Sequence, residues 1–347
     1  MDTQSDQQAM ENIKNKRFKP LVFLLGIIYI FVFLGITTPL VLFFGPYENT
    51  RKVFISTVLG TRHAYLITDY ISEETINKIL GVSKVVEEAP QEQVKQDIAT
   101  DLNKINVKYT SGNDISRYDI HTERYNGYVL EIKNPLGVKV AMTKYIGKMG
   151  QKTSEMAEEH NAVAAINGGS FIDQSSDGTL YAGTGAEPGG FVISGGKVIY
   201  PKTNINKNNV ENVIAFTKKG ELIVGDHTLE EMLKLGVQEA MCFRRPNIII
   251  NGNPQIKDKT LDGLNPRTAV GQKEDGTVIF VVIDGRKITS PGATIYDMQQ
   301  IMLDRGAINA GSLDGGYSST MYYKGDVINS PNAWDGERSV ATAFYVD

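Results

Sequence analysis

Ala307-Ile308-Asn309-Ala310-Gly311-Ser312-Leu313-Asp314-Gly315-Gly316-Tyr317-Ser318-Ser319-Thr320-Met321 is the stretch from which the fold is read. Its opening run, Ala307-Ile308-Asn309-Ala310, reads as the end of a buried strand, so the acid and the hydroxyls lie where the chain leaves the core. Two consecutive glycines let backbone N–H groups approach a ligand closely, beside one carboxylate. That suits an oxygen-rich, anionic ligand such as a sugar phosphate. The same Asp-Gly-Gly sequence also serves as a plain hairpin turn.

Four further stretches repeat the pattern of an apolar run ending in a polar corner. Ala162-Val163-Ala164-Ala165-Ile166 runs into Asn167-Gly168-Gly169-Ser170-Phe171, and Val278-Ile279-Phe280-Val281-Val282-Ile283 into Asp284-Gly285-Arg286. Asn265-Pro266-Arg267-Thr268 precedes Ala269-Val270-Gly271, and Glu337-Arg338 opens a closing strand, Val340-Ala341-Thr342-Ala343. If these strand ends meet at one sheet edge, a single pocket gathers two acids, two arginines and an amide. Asn and Asp would then bind sugar hydroxyls, and Arg with backbone N–H groups a phosphate. Each residue also has a plainer reading. Asp284-Gly285 makes a turn, Asn167 tolerates a left-handed backbone, and Arg267 and Arg338 form surface ion pairs. Ser318 as a nucleophile would need a histidine base, and the nearest in sequence, His227, follows a turn-like Gly225-Asp226.

Between these corners, residues 153–160, 228–235 and 294–305 read as helices, the last opened by Thr294 with Asp297 three residues on and closed by Gly306. Tyr128-Val129-Leu130-Glu131-Ile132 and Val138-Lys139-Val140-Ala141-Met142 flank Asn134-Pro135-Leu136-Gly137 and predict a hairpin. Two more hairpins are predicted around Ser194-Gly195-Gly196-Lys197 and around Lys218-Lys219-Gly220-Glu221. Strands and helices mixed without regular β-α-β alternation predict an α+β domain, a largely antiparallel mixed sheet with a few helices, over residues 103–347.

The chain has 347 residues, 41% of them hydrophobic, and 34 glycines, a composition for a globular protein with many tight turns. A net charge of −4 without a basic stripe argues against nucleic acid as a partner. The single cysteine, Cys242, excludes an intrachain disulfide, and its neighbours Met241 and Phe243 suggest a buried core thiol. Four histidines, His63, His121, His160 and His227, show no His-x-x-x-His spacing, and neither a metal site nor a cofactor is predicted.

Residues 21–45 carry no charge and are long enough to span a bilayer, without the short apolar region of a cleaved signal. Lys14, Lys16, Arg17 and Lys19 precede them and only Arg51 and Lys52 follow closely, which predicts a single-pass anchor in the cell membrane, residues 1–20 in the cytoplasm and the rest outside. Residues 46–102 read as a helical stalk and linker. Ser72 caps a helix through Glu73-Glu74-Thr75-Ile76-Asn77-Lys78-Ile79-Leu80, and Glu87-Glu88-Ala89-Pro90-Gln91-Glu92-Gln93 is the linker. Such a stalk can serve as an oligomerising collar.

Taken in order, Asn167-Gly168-Gly169-Ser170-Phe171, Asn265-Pro266-Arg267-Thr268-Ala269-Val270-Gly271, Asp284-Gly285-Arg286, Leu313 to Met321 and Glu337-Arg338-Ser339-Val340 resemble the phosphodiester glycosidase family. The likeness covers residues 103–347. It departs from the family where Ser170 stands for the more usual Phe, Tyr317 for Gly and Ser339 for Pro. The resemblance implies cleavage between an anomeric carbon and a phosphate oxygen. It implies Arg267 and the Gly315 and Gly316 amides at the phosphate, with Asp314 at the reacting sugar and Asp284 sharing that role. Asn167, Gly168, Gly169, Ser318, Ser319 and Arg338 would bind the remaining hydroxyls and phosphate oxygens. With the anchor, the implied substrate is a sugar-1-phosphodiester of a surface polysaccharide or teichoic-acid-like polymer. The competing expectation is a non-catalytic glycan-binding module on a membrane stalk.

Overall fold

Val278 to Ile283 is apolar at every position because both of its faces are buried. Val278, Phe280 and Val282 point into a central core, and Ile279, Val281 and Ile283 into a second cluster behind it. The alternation is the period of two expected of a strand. In the computed structural model, residues 20–59, 67, 69–80, 99–112, 114–172, 185–203, 206–244, 246–287, 289–333 and 336–347 are described. The tail expected at 1–20, apart from Pro20, and the linker expected at 87–93 lie outside them.

The chain divides into two units, residues 1–51 and 52–347. In the first, helix α1 (Pro20–Phe44) contains a segment, Pro20–Val41, long and apolar enough to cross a membrane. Helices α2 (Glu48–Leu59) and α3 (Glu73–Leu80) follow, the latter capped as expected where Ser72 Oγ accepts the Thr75 N–H at 3.3 Å.

In the second unit, strands β1 (Ile115–His121), β2 (Asn126–Ile132) and β3 (Val138–Met142) precede helix α4 (Thr153–Glu159). Strands β4 (Ala164–Asn167), β5 (Phe171–Ile172), β6 (Glu187–Pro188), β7 (Val192–Ser194) and β8 (Lys197–Tyr200) come next. They lead to β9 (Val210–Thr217), β10 (Leu222–Thr228), α5 (Leu229–Lys234) and β11 (Val237–Phe243). Then come β12 (Ile249–Ile250), β13 (Asn253–Pro254), β14 (Arg267–Lys273), β15 (Val278–Ile283) and α6 (Ile295–Asp304). The chain closes through β16 (Ala307–Leu313), β17 (Met321–Tyr323), β18 (Asp326–Val327) and β19 (Thr342–Val346).

Three sheets result, ordered β1-β2-β15-β14-β16-β12-β13, β10-β9-β11-β7-β8 and β18-β17-β4-β19-β3, with β5 and β6 as a separate pair. Every named strand pair among the described residues is antiparallel. The domain is thus α+β as expected, divided among several sheets. All three sheets turn one face to a shared core, where Phe280, Phe216 and Phe344 meet from different sheets. Each outer face is covered by one helix. Met298 and Met302 of α6 back the first sheet, Leu229 and Met232 of α5 the second, and Met156 and Ala157 of α4 the third.

Helix α6 starts as predicted, with Thr294 Oγ1 accepting the Asp297 N–H and Asp297 Oδ2 accepting the Thr294 N–H. The hairpins β7-β8 and β9-β10 also form as predicted. The hairpin expected of β2 and β3 does not. Asn134-Pro135-Leu136-Gly137 reverses the chain through a 3₁₀ turn capped by the Asn134 side chain, but β2 pairs with β1 and β15 while β3 pairs with β19. Leu130 and Val140 both reach the shared core from their separate sheets, so burial assigned the partners and the turn only the reversal.

A candidate active site at the strand ends

Register places the polar corners together. Arg267 pairs with Ile283 and Thr268 with Leu313, so the start of β14 and the ends of β15 and β16 share one edge of the first sheet. In the third sheet Met321 pairs with Ile166 and Ala343 with Asn167, which aligns the end of β4 with the starts of β17 and β19. Asn167 stitches the two edges. Its Nδ2 donates to the Asp314 carbonyl at 2.6 Å, and its Oδ1 accepts from Thr268 Oγ1 at 2.7 Å and from the Thr320 N–H at 3.1 Å. Asn167 is fully buried, a tie between sheets with its amide occupied.

Gly168 and Gly169 lie beneath the same corner. The Gly168 carbonyl accepts the Asp314 N–H at 3.0 Å, and a Cβ on Gly168 would fall 2.6 Å from the Thr342 carbonyl oxygen. A Cβ on Gly169 would fall 2.1 Å from the Cys242 carbonyl oxygen, so these glycines are demanded by packed backbone.

Asp314 itself is half-buried, and Ser318 Oγ donates to its Oδ2 at 2.5 Å. Ser318 is fully buried and directed at a carboxylate, while His227 lies on β10 of the second sheet beside Glu231 at 3.5 Å. Ser319 is buried as well, and its hydroxyl makes no hydrogen bond among the described residues.

Asp284 is buried at 4% exposure. Its Oδ1 accepts from Asn329 Nδ2 at 3.0 Å and from the Ser330 N–H at 2.9 Å. Asn329 in turn accepts the Met321 N–H at 2.7 Å, so Asp284 fastens the chain that follows β18 to the start of β17. Arg267 is also inward. Its Nη1 meets Asp262 Oδ2 at 2.5 Å, its Nη2 donates to the Asp262 and Gly263 carbonyls, and its Nε to the Ala293 carbonyl at 2.9 Å. Burial pulls the Arg267 guanidinium below its ordinary value, against the attraction of Asp262.

Among the described residues, a guanidinium close enough to feel the Asp314 charge is that of Arg286. Its Nε donates to Asn265 Oδ1 at 3.1 Å, and its Cζ lies 4.6 Å from the centroid of the Tyr317 ring. Burial lowers its proton affinity, opposed by Tyr317 and by the Asp314 charge. Two backbone positions bring it there. Arg286 holds a left-handed φ of 57°, and Gly316, at φ 63°, packs so closely that a Cβ would stand 2.9 Å from Arg286 Nη2. The Gly316 N–H is engaged with the Pro266 carbonyl at 2.9 Å, and a Cβ on Gly315 would meet that same oxygen at 2.7 Å. Gly315, Gly316 and Tyr317 remain half-exposed around Asp314.

Arg338 lies half-buried with its Cζ 4.6 Å from the Phe171 ring centroid. Its neighbour Glu337 accepts the Ser154 N–H at 3.1 Å at the start of α4, and burial raises the Glu337 carboxyl above its ordinary range. Among the described residues no cluster of His, Cys, Asp or Glu is arranged to hold a metal ion.

Asp314, Gly315, Gly316 and Ser318 lie together on one turn, with Arg286, Tyr317 and Asn265 beside them. Arg286 stands two residues beyond Asp284 in the Asp284-Gly285-Arg286 corner, and nothing local in the sequence distinguishes it from Arg267. Arg267, Asp284 and Asn167 converge on the same edge as the layer beneath. Such a surface can hold an oxyanion against the guanidinium while a carboxylate faces the adjoining atom.

Residues 160–347 match the family model described as phosphodiester glycosidase. Over 223 residues, 59% of this chain and 31% of the relative, the sequence is 30% identical to the SPbeta prophage-derived uncharacterized protein YomE of Bacillus subtilis (strain 168). Over 244 residues, 63% of this chain and 45% of the relative, it is 24% identical to N-acetylglucosamine-1-phosphodiester alpha-N-acetylglucosaminidase of Mus musculus. The chain thus spans about a third to a half of the length of these relatives. The zebrafish catalytic domain of the latter name, auto-inhibited by its pro-peptide, shares the fold with a TM-score of 0.56 over 70% of this chain and 86% of that one, at 19% identity.

Proposed function

Because the chain belongs to the phosphodiester glycosidase family, we propose that it hydrolyses the bond between a sugar anomeric carbon and phosphate in a sugar-1-phosphodiester. The observation that carries the reading is the half-exposed Asp314 carboxylate, fixed by Ser318, on the turn that also packs against Arg286. Water adds to the anomeric carbon, the bond from that carbon to the phosphate oxygen breaks, and the leaving group is a phosphate monoester. Its second pKa of about 6 lets it depart without a strong general acid, so the site must stabilise an anion and the electron-poor carbon. Arg286 takes the leaving phosphate, with Arg338 as a second cation at the same edge. Asp314 faces the sugar as base or electrostatic stabiliser. Asp284, Arg267 and Asn167 hold those groups in place from below.

The apolar helix and the basic residues preceding it support an anchored protein with its domain outside the cell. A polymer at the cell surface, carrying sugar-1-phosphodiester links, is then the substrate within reach. The stalk over residues 46–102 would hold the domain above the bilayer, alone or as an oligomer.

The test uses the full chain in detergent with UDP-N-acetylglucosamine and with alkyl phosphodiesters of N-acetylglucosamine-1-phosphate and glucose-1-phosphate. Free reducing sugar should appear, should fall at least a thousandfold in Asp314→Asn, and should also be formed from substrate added outside intact cells. Binding of a surface glycan without turnover by the parent would replace the enzyme with a binding module.

A further inference from the structure

Tyr317 is the one aromatic side chain on the turn that carries Asp314, and its ring lies under the Arg286 guanidinium. An arginine side chain has several rotatable bonds, and ordering it for an anion costs conformational entropy. Among the described residues the freedom of Arg286 is reduced before any ligand arrives by Asn265 Oδ1 on Nε, by the closely packed Gly316 beside Nη2, and by Tyr317, whose ring lies beneath and whose side chain also hydrogen-bonds the guanidinium. The first two restrain one edge each. Tyr317 backs the face of the guanidinium, which leaves its paired N–H groups to be offered to phosphate oxygens.

We propose that Tyr317 is a positioning residue that sets the anion affinity of this site, holding Arg286 flat over the Asp314 turn and favouring phosphate-bearing over neutral leaving groups. This deepens the reading given above and rests on the same site, but it concerns anion binding and can be measured without turnover. Ring and guanidinium form a preorganised pair, so the ring contributes to affinity through the arginine and need not touch the ligand.

The experiment measures inorganic phosphate binding to the full chain in detergent by calorimetry, for the parent, Tyr317→Phe, Tyr317→Ala and Arg286→Lys, with thermal melts as a control on folding. Phosphate should bind the parent; it should bind more weakly to Tyr317→Phe, which keeps the ring and loses the hydroxyl's hydrogen bond, and more weakly still to Tyr317→Ala, by about fivefold or more, the size of one cation–π contact. Arg286→Lys should weaken binding as well, because an ammonium cannot reproduce the stacked fork. Where sugar phosphodiesters are cleaved, Tyr317→Ala should raise KM for them with a smaller change in kcat. Equal phosphate affinity in Tyr317→Ala and the parent, both folded, overturns the proposal. So does a parent that does not bind phosphate, even if it cleaves phosphodiesters. Phosphate binding that follows this pattern with no cleavage of any sugar phosphodiester would sink the glycosidase reading and keep the role of Tyr317.

Discussion

Arg267 and Arg286 each stand at the end of a strand in the sequence, yet the fold uses them differently. Arg267 is 8% exposed, with an acid and three carbonyls on its fork, so its loss leaves those carbonyls unpaired and Asp262 with Arg244 as its cation among the described residues. Arg267→Ala should destabilise the domain by about 3–5 kcal/mol in urea unfolding, and added phosphate should not restore it. A drop below 1 kcal/mol would mean that the buried fork is not what holds the Asp262 loop. The acid at the centre was legible, because a strand running into Asp-Gly-Gly leaves few places for the carboxylate to go. Its support was not. Asn265, Asn329 and Ser330 act through hydrogen bonds to residues 21, 45 and 46 positions away, and no local pattern records those.

At the scale of elements, capping chemistry and short glycine turns could be read directly, and α6, β7-β8 and β9-β10 follow them. The fate of β2 and β3 could not, since which strand lies beside another is settled by matching buried faces across the domain. Glu239 shows how the second and third sheets are joined. It is 2% exposed, its Oε2 accepts the Val140 N–H of β3 at 2.8 Å and its Oε1 the Gly195 N–H of the β7-β8 turn at 3.0 Å. Burial raises its carboxyl above the ordinary 4.5, and the two backbone donors only partly offset this. The folded state therefore binds more protons than the unfolded chain between the ordinary value and the raised one. Stability from this group is fully present below the ordinary value and is lost as pH rises through the raised one. Glu239→Gln should flatten that part of the stability-against-pH curve measured by chemical denaturation, and an unchanged slope would assign it to other groups, such as Glu337.

For the whole molecule, composition and the run of uncharged residues separated a helix able to cross a membrane from a folded domain, while the division of that domain into three sheets around one core emerges only from long-range pairing. The arrangement has a use at the bench. Cys242 is the chain's single sulfhydryl, 2% exposed, with burial raising it to about 12. Its carbonyl accepts the Ser170 N–H directly below the strand-end corner. The sulfur itself packs against the Phe191 backbone in the cluster covered by α5, so a thiol reagent can react only during excursions that open that cluster. Its rate of consumption is a clock for the opening of the β11 layer whose backbone underlies the site, read from one atom without any engineered label. Saturating phosphate should slow that clock if the anion binds the closed state alone, and a rate independent of phosphate would uncouple that layer from the ligand.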